Sequence, residues 1–276
     1  MQIAMIGDKI VPFDDLGPVY LDRGVYFGDG VYEVVRSYDG KIFALEEHLA
    51  RLANSLAAIN IRGVDIGRIR TRIAEAFSAA GISNAKIYFH ITRGSAPREH
   101  ACDDDLEPNF FMTVTELPDE TEEKARGVAV STYPDLRWKR CDIKSLNLLP
   151  NVLARLDAAK KGCDEAIFVD EGGLITEGAA SAFFAVSAKA LQTAPLTANI
   201  LPSITRKFVI DAARNIGLDV IEESLTAGQA CSADELFIAV TTKDIVPVVR
   251  FDDDTIGDGK PGKYTRLLIE EFRSFT

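Results

Sequence analysis

Residues 117–127 read LPDETEEKARG, and this stretch decides how the chain divides. It is polar, acidic and nearly free of large apolar residues, so a core cannot be built through it. It reads as a linker between a smaller N-terminal domain, residues 1–118, and a larger C-terminal domain, residues 119–276. Immediately upstream, NFFMTVTE (109–116) and AKIYFHITR (85–93) are β-rich runs. Further upstream, GVYEVVRSYDGKIFAL places two such runs around Asp39-Gly40, a type I′ turn signal, and predicts a hairpin over 31–45. Leu45, Leu49, Leu52, Leu56 and Ile59 then fall at helical spacing, and a second helix covers 65–80 and stops at Gly81. QIAMIGDKIVP (2–12) reads as a hairpin turning at Gly7-Asp8. Downstream of the linker, strands near 128–133, 165–170, 174–186 and 235–240 alternate with helices near 147–161, 203–216 and 264–273. The expected fold class is α/β with α+β character, its sheets mixing strand directions.

Composition narrows the function by exclusion. The 276 residues carry 31 Lys+Arg against 42 Asp+Glu, a net charge of -11, which disfavours nucleic acid and anionic membranes as partners. Cys102, Cys141, Cys163 and Cys231 form no C-x-x-C pair, and with three histidines a protein-built zinc site is hard to assemble. Scattered cysteines, no leader-like start and no apolar run of about 18 residues point to a cytoplasmic, metal-free protein. Any enzymatic chemistry then falls to side chains or to an organic cofactor.

Four features bear on that chemistry. Lys144 lies beside the apolar run Leu146–Leu149, a setting in which a lysine amine can form a Schiff base with an aldehyde cofactor. Most lysines beside an apolar run merely extend to water, so the residue alone does not decide. Glu177 stands in the apolar run LITEGAASAFFAV and needs a cationic partner if buried; a protonated pyridine nitrogen is one, and water at a strand end is the plainer alternative. Ser203 or its neighbour starts a helix whose first N–H groups, at Ile204 and Thr205, can cradle a phosphate, and Thr241-Thr242 forms a second hydroxyl-bearing turn. Finally, Arg98 and His100 follow a strand in the loop RGSAPREH, two residues apart, where they can grip one carboxylate from the same side or simply face solvent.

These features coincide in one family. DRGVYFGDGVYEVV (22–35), EEHLARL (46–52), ITRGSAPREH (91–100), RWKRCDIKSLNLL (137–149), ITEGAASAFF (175–184), ITRKFVI (204–210) and DELFIAVTT (234–242) together closely resemble the D-amino acid aminotransferases. That group belongs to the fold-type IV pyridoxal-phosphate enzymes, with the branched-chain aminotransferases and the aminodeoxychorismate lyases. The resemblance implies a small N-terminal α/β domain and a larger cofactor-binding domain with a mixed, β-barrel-like sheet. It implies pyridoxal 5'-phosphate as cofactor, with Lys144 as the Schiff-base lysine and proton shuttle and Glu177 against the pyridine nitrogen. Arg51, Ile204, Thr205, Thr241 and Thr242 resemble the phosphate cup. Tyr32, Arg98 and His100 resemble the trap for the substrate carboxylate, the last two reaching in from the second subunit of a homodimer with composite active sites.

The implied reaction moves the amino group of D-alanine, D-glutamate or D-aspartate to 2-oxoglutarate or pyruvate. The same fold also serves aminodeoxychorismate lyases, (R)-amine and branched-chain transaminases, and in principle a silent cofactor-binding protein. The Arg98/His100 pair favours the D-amino acid branch. One departure stands out: the serine-rich run usual after the Glu-Gly pair is here Ala179-Ala180-Ser181-Ala182. Pro150 and Pro202 also border the expected pocket.

Overall fold

The computed structural model describes residues 2–103, 105–118, 120–197 and 199–276. The chain opens with a hairpin of β1 (Ile3–Ile6) and β2 (Lys9–Pro12), followed by the short helix α1 (Arg23–Phe27). β3 (Gly30–Tyr38) and β4 (Lys41–Ile42) form the expected second hairpin. Its turn residues Asp39 and Gly40 both take positive φ, 46° and 85°, as the right-handed twist of the flanking strands requires. The leucine stripe forms α2 (Leu45–Ala58), and Asp65 caps α3 (Ile66–Ala80), which ends at left-handed Gly81. β5 (Ala85–Thr92) and β6 (Asn109–Glu116) complete an antiparallel sheet in the order β4-β3-β5-β6. One face of that sheet packs Val31, Val35, Ile87 and Phe89 against Leu49, Leu52 and Ile73 of the two helices. Strand periodicity turns the alternate residues, Tyr32, Val34, Lys86, Tyr88 and His90, to the other face.

The acidic segment after β6 is not bare coil. It folds into α4 (Thr121–Arg126), with Glu120 buried at its start beside Arg36 and Lys124. Next come β7 (Val128–Pro134), α5 (Leu149–Lys160) and β8 (Glu165–Val169). The predicted strand over 174–186 is two strands, β9 (Ile175–Gly178) and β10 (Ala182–Ser187). The break is tight: Gly178 N–H donates to Ser181 O at 2.7 Å, and a Cβ on Gly178 would lie 2.1 Å from Ser181 Oγ. β11 (Ala190–Thr193), α6 (Ile204–Asn215), β12 (Asp219–Glu222), α7 (Ala227–Cys231), β13 (Glu235–Val240), β14 (Asp244–Phe251), β15 (Asp254–Thr255) and α8 (Lys263–Phe272) finish the chain.

Among the described residues these strands make a mixed sheet in the order β12-β11-β10-β13-β14-β7-β8-β9, with β15 on β14. Its central strands are buried on both faces, which is why FFAV and ELFIAV are continuous apolar runs rather than alternating ones. Phe183, Leu236, Ile238 and Val248 pack on one side, while Phe184, Phe237, Ala239 and Ile245 meet Val209 of α6 and Leu268 of α8 on the other. Between the two sheets runs the connection from β7 to α5, and on it sits Lys144.

Candidate active site

The connection from β7 to α5 is fastened to β3 by its backbone. Tyr32 N–H donates to Lys144 O at 2.9 Å, Leu146 N–H donates to Gly30 O at 3.0 Å, and Lys144 N–H reaches Ser55 Oγ at 3.2 Å. Gly30 permits this approach, because a Cβ there would lie 2.6 Å from Ile91 O and 2.9 Å from a Leu146 methyl. The main chain around Lys144 is therefore rigid, and its side chain enters a cavity of about 630 Å³ between the two sheets. Lys144 Nζ stands 4.3 Å from the centroid of the Tyr32 ring and makes no ion pair among the described residues. A lysine so held presents an amine to the cavity without a carboxylate to occupy it.

Glu177, the last-but-one residue of β9, lines the same cavity and is 7% exposed. Its Oε1 accepts from Arg137 at 2.5 Å and from Leu201 N–H at 3.0 Å, and Oε2 takes no hydrogen bond among the described residues. Arg137 is shared: it also forks onto Asp135 at 2.8 and 2.7 Å and donates to Asn199 O, while Thr176 Oγ1 donates to Asp135. Burial raises the Glu177 carboxyl above its ordinary range, and the divided attention of Arg137 does not fully oppose it. Burial also pushes the nearby Cys141 thiol up to about 11, so this cysteine is no thiolate nucleophile at neutral pH.

The anion-binding features gather at another part of the wall. Ser203 caps α6 by accepting from Arg206 N–H at 3.2 Å, which leaves the N–H groups of Ile204 and Thr205 without a helical acceptor. Ser203, Thr241 and Thr242 line the cavity, and Ile204 and Thr205 lie buried just behind Ser203. Arg51 lines the cavity from α2 and is held there by a fork onto Glu33 at 2.8 and 2.7 Å and a bond to Pro202 O at 3.0 Å. Burial alone would raise Glu33, yet Arg51, helped by His48, holds its carboxyl at about 2. Arg36 donates to Thr242 O at 3.0 Å and pairs with Asp244, fixing the turn between β13 and β14.

Seven residues singled out in the sequence thus share the cavity: Tyr32, Arg51, Lys144, Glu177, Ser203, Thr241 and Thr242. Arg98 and His100 do not line it within one chain. His100 borders a neighbouring hollow with Phe27 and Asn147, and the Arg98 guanidinium lies 5.3 Å from the Phe27 ring centroid. Buried Arg23 holds their loop by donating to Glu99 O at 2.6 Å and His100 O at 2.9 Å. The sequence reading missed Arg137, whose three acidic and hydroxyl partners are unrelated to it by any motif, and Lys86, which lines the cavity from β5. In the altered run after Gly178, Ala179 and Ala182 are apolar wall, and Ser181 donates to buried Glu165 at 3.3 Å. Pro150 falls in the first turn of α5, where its missing N–H costs nothing.

Comparison with known proteins accords with this arrangement. The family described as amino-transferase class IV matches residues 30–251. The chain is 39% identical over 249 residues to a D-alanine aminotransferase of Bacillus licheniformis, covering 89% of this chain and 87% of that protein. It is 37% identical over 277 residues to a D-alanine aminotransferase of Staphylococcus haemolyticus, covering 100% and 98%. Among solved structures, the branched-chain amino acid aminotransferase of Escherichia coli superposes with a TM-score of 0.86 at 24% identity, over 97% of this chain and 92% of that one.

Proposed function

The chain belongs to the amino-transferase class IV family, and on that premise we propose that it is a pyridoxal 5'-phosphate-dependent transaminase of D-amino acids. One observation carries the reading: a single cavity holds an amine without a counter-ion, a buried carboxylate with one open oxygen, and a helix start flanked by hydroxyls. Each is chemically matched to one part of that cofactor. Lys144 suits its aldehyde, Glu177 Oε2 suits its ring nitrogen, and Ser203, Thr241, Thr242 and the N–H groups of Ile204 and Thr205, with Arg51 behind them, suit its phosphate. The raised carboxyl of Glu177 speaks for the same fit, because an uncompensated buried carboxylate calls for a cation opposite it.

Bound there, the cofactor supplies a carbonyl that exchanges the amino group and a ring that takes up negative charge from the substrate Cα. The protein's part is to place and move protons. With the cofactor bound, Lys144 Nζ would take the proton from Cα and deliver it two atoms further on, to the carbon across the transferred nitrogen, and its backbone clamp on β3 keeps that short transfer in register. Glu177 Oε2 holds a protonated nitrogen cation, while Arg137 and Leu201 N–H stop the carboxylate from rotating. Ile143 and Leu201 add apolar surface to the cavity wall.

Arg98 and His100 act in this reading across a homodimer, each chain lending its loop to the other's cavity. Two features support it. Neither residue lines the cavity of its own chain, and α5 presents Leu149, Val152, Leu153 and Leu156 at 46–68% exposure beside that cavity, an apolar face suited to a second copy. The domain division near residues 117–127 stays part of the same proposal.

The test is a donor comparison on the purified protein with pyridoxal 5'-phosphate, 2-oxoglutarate as acceptor and D- or L-alanine as donor. Pyruvate and D-glutamate should form with the D isomer, and their absence would refute the reaction. Mixing inactive Lys144→Ala and Arg98→Ala proteins should restore activity through hybrid dimers; no recovery after verified subunit exchange would sink the shared site.

A further inference from the structure

Five cationic side chains line the cavity, Arg51, Lys86, Arg137, Lys144 and Arg155, against one carboxylate, Glu177, and their partners can be named one by one. Arg51 is neutralised by Glu33, Arg137 by Asp135 and Glu177, and Arg155 by Glu165 at 3.0 Å. Lys144 is the reacting amine. Lys86 remains: a half-buried lysine lining the cavity whose side chain makes no hydrogen bond or ion pair among the described residues. Nearby carboxylates do not serve it. Asp244 is engaged by Arg36, Lys124 and Tyr38, and Glu120 by Arg36 and Lys124.

Its position says which anion it awaits. Lys86 lies opposite Arg36 on β3, on the same face of the sheet as Tyr32, whose ring underlies the Lys144 amine. From the Tyr32–His90 pair to the Arg36–Lys86 pair the wall runs four residues, about 14 Å at about 3.4 Å per residue. Val34 and Tyr88 form the intervening surface, with the Tyr88 hydroxyl turned back onto His90 at 2.9 Å. The groups suited to phosphate come from α6, Arg51 and the turn after β13, the last of which meets this end of the wall where Arg36 donates to Thr242 O. An anion carried along this wall beyond the substrate's reacting carbon would come to Lys86.

We propose that Lys86 is the specificity residue that binds the distal carboxylate of dicarboxylic substrates, D-glutamate and 2-oxoglutarate among them. The proposal rests on the transaminase reading above and adds to it a cause for preferring diacids over alanine. The flexible lysine stem lets one amine meet diacids of different length, at the cost of weaker orientation than an arginine fork gives. Without a distal carboxylate the ammonium keeps its water, so monocarboxylic donors gain nothing from it.

The experiment uses holoenzyme and follows each half-reaction separately by cofactor absorbance, with D-glutamate or D-alanine as sole donor. Lys86→Met keeps the stem and removes the charge. The ratio of kcat/KM for D-glutamate over D-alanine should fall tenfold to a hundredfold, and Lys86→Arg should recover most of it. Cofactor retention is measured in parallel by absorbance after dialysis. A ratio unchanged within twofold overturns the proposal. So does an equal fall for both donors with loss of cofactor, which would assign Lys86 to the phosphate. Calorimetric titration of 2-oxoglutarate into the same holoenzymes, expected tenfold or more weaker for Lys86→Met, reads binding without turnover. If the unaltered protein binds 2-oxoglutarate through Lys86 but transaminates no D donor, the reaction assignment fails and the site stands.

Discussion

Two buried glutamates, Glu33 behind Arg51 and Glu177 in the cavity wall, have surroundings that push them in opposite directions. Glu33 is 0% exposed, and both of its oxygens are engaged, by Arg51 and His48. Its carboxyl is held at about 2 despite complete burial. Glu177 is nearly as buried, but one oxygen is open and its arginine is shared with Asp135, and its carboxyl is raised. The difference lies in stoichiometry more than in depth. Glu33 has a partner of its own and serves the fold by aiming Arg51; Glu177 has half a partner and is left with an unmet need that a ligand can fill.

Substitution should expose this contrast. Glu177→Gln keeps the shape and still accepts from Arg137 and Leu201 N–H, but it removes the charge a ring nitrogen requires. Steady-state transamination should fall about 10²- to 10³-fold, the scale of losing one preorganised electrostatic partner in an active site. Chemical denaturation should find the cofactor-free variant no less stable than the parent, since a disfavoured buried charge is gone. A clear loss of stability would show that Glu177 is a structural ion-pair member like Glu33. Glu33→Gln should behave the other way. It strands the Arg51 guanidinium in a buried site, and a cost of about 3–5 kcal/mol in the same denaturation experiment is expected. Stability within 1 kcal/mol of the parent would break the comparison from that side.

The same contrast marks what the sequence could reveal. Elements with strong periodicity were legible: β6 and β13 have the limits their apolar runs suggest, and α3 stops at Gly81. β14 was not, because Pro247 argues against a central strand. The structure accommodates it because pairing with β7 begins only at Val248, so the proline lies beyond the end of that ladder. The break within 174–186 depends on a backbone bond between Gly178 and Ser181, which no hydropathy pattern encodes. Lys144 and Glu177 could be singled out as polar residues in apolar runs. The network that distinguishes Glu177 from Glu33 could not, because Arg137 and Glu177 are 40 residues apart and meet only once β7 and β9 are laid on either side of β8. Lys86 did leave a trace, as the polar alternate of Ala85 and Ile87 on a strand with one buried face.

The smallest expected effect is a pH dependence whose sign differs between the two glutamates. For Glu33 the folded carboxyl lies at about 2 against an ordinary value of 4.5. A depressed carboxyl contributes stability that is complete above 4.5 and lost as pH falls through about 2. The stability gap between the parent and Glu33→Gln should therefore narrow steadily over that window. For Glu177 the folded carboxyl lies above 4.5, so without a bound cation its contribution is complete below 4.5 and lost as pH rises through the folded value. The cofactor-free Glu177→Gln protein should match the parent in acid and gain on it as pH rises. Urea titrations of the three proteins between pH 3 and pH 7 read both slopes at once. Slopes of the same sign would mean that the two carboxylates are paired alike, and that the open oxygen of Glu177 is not the unmet charge on which its role depends.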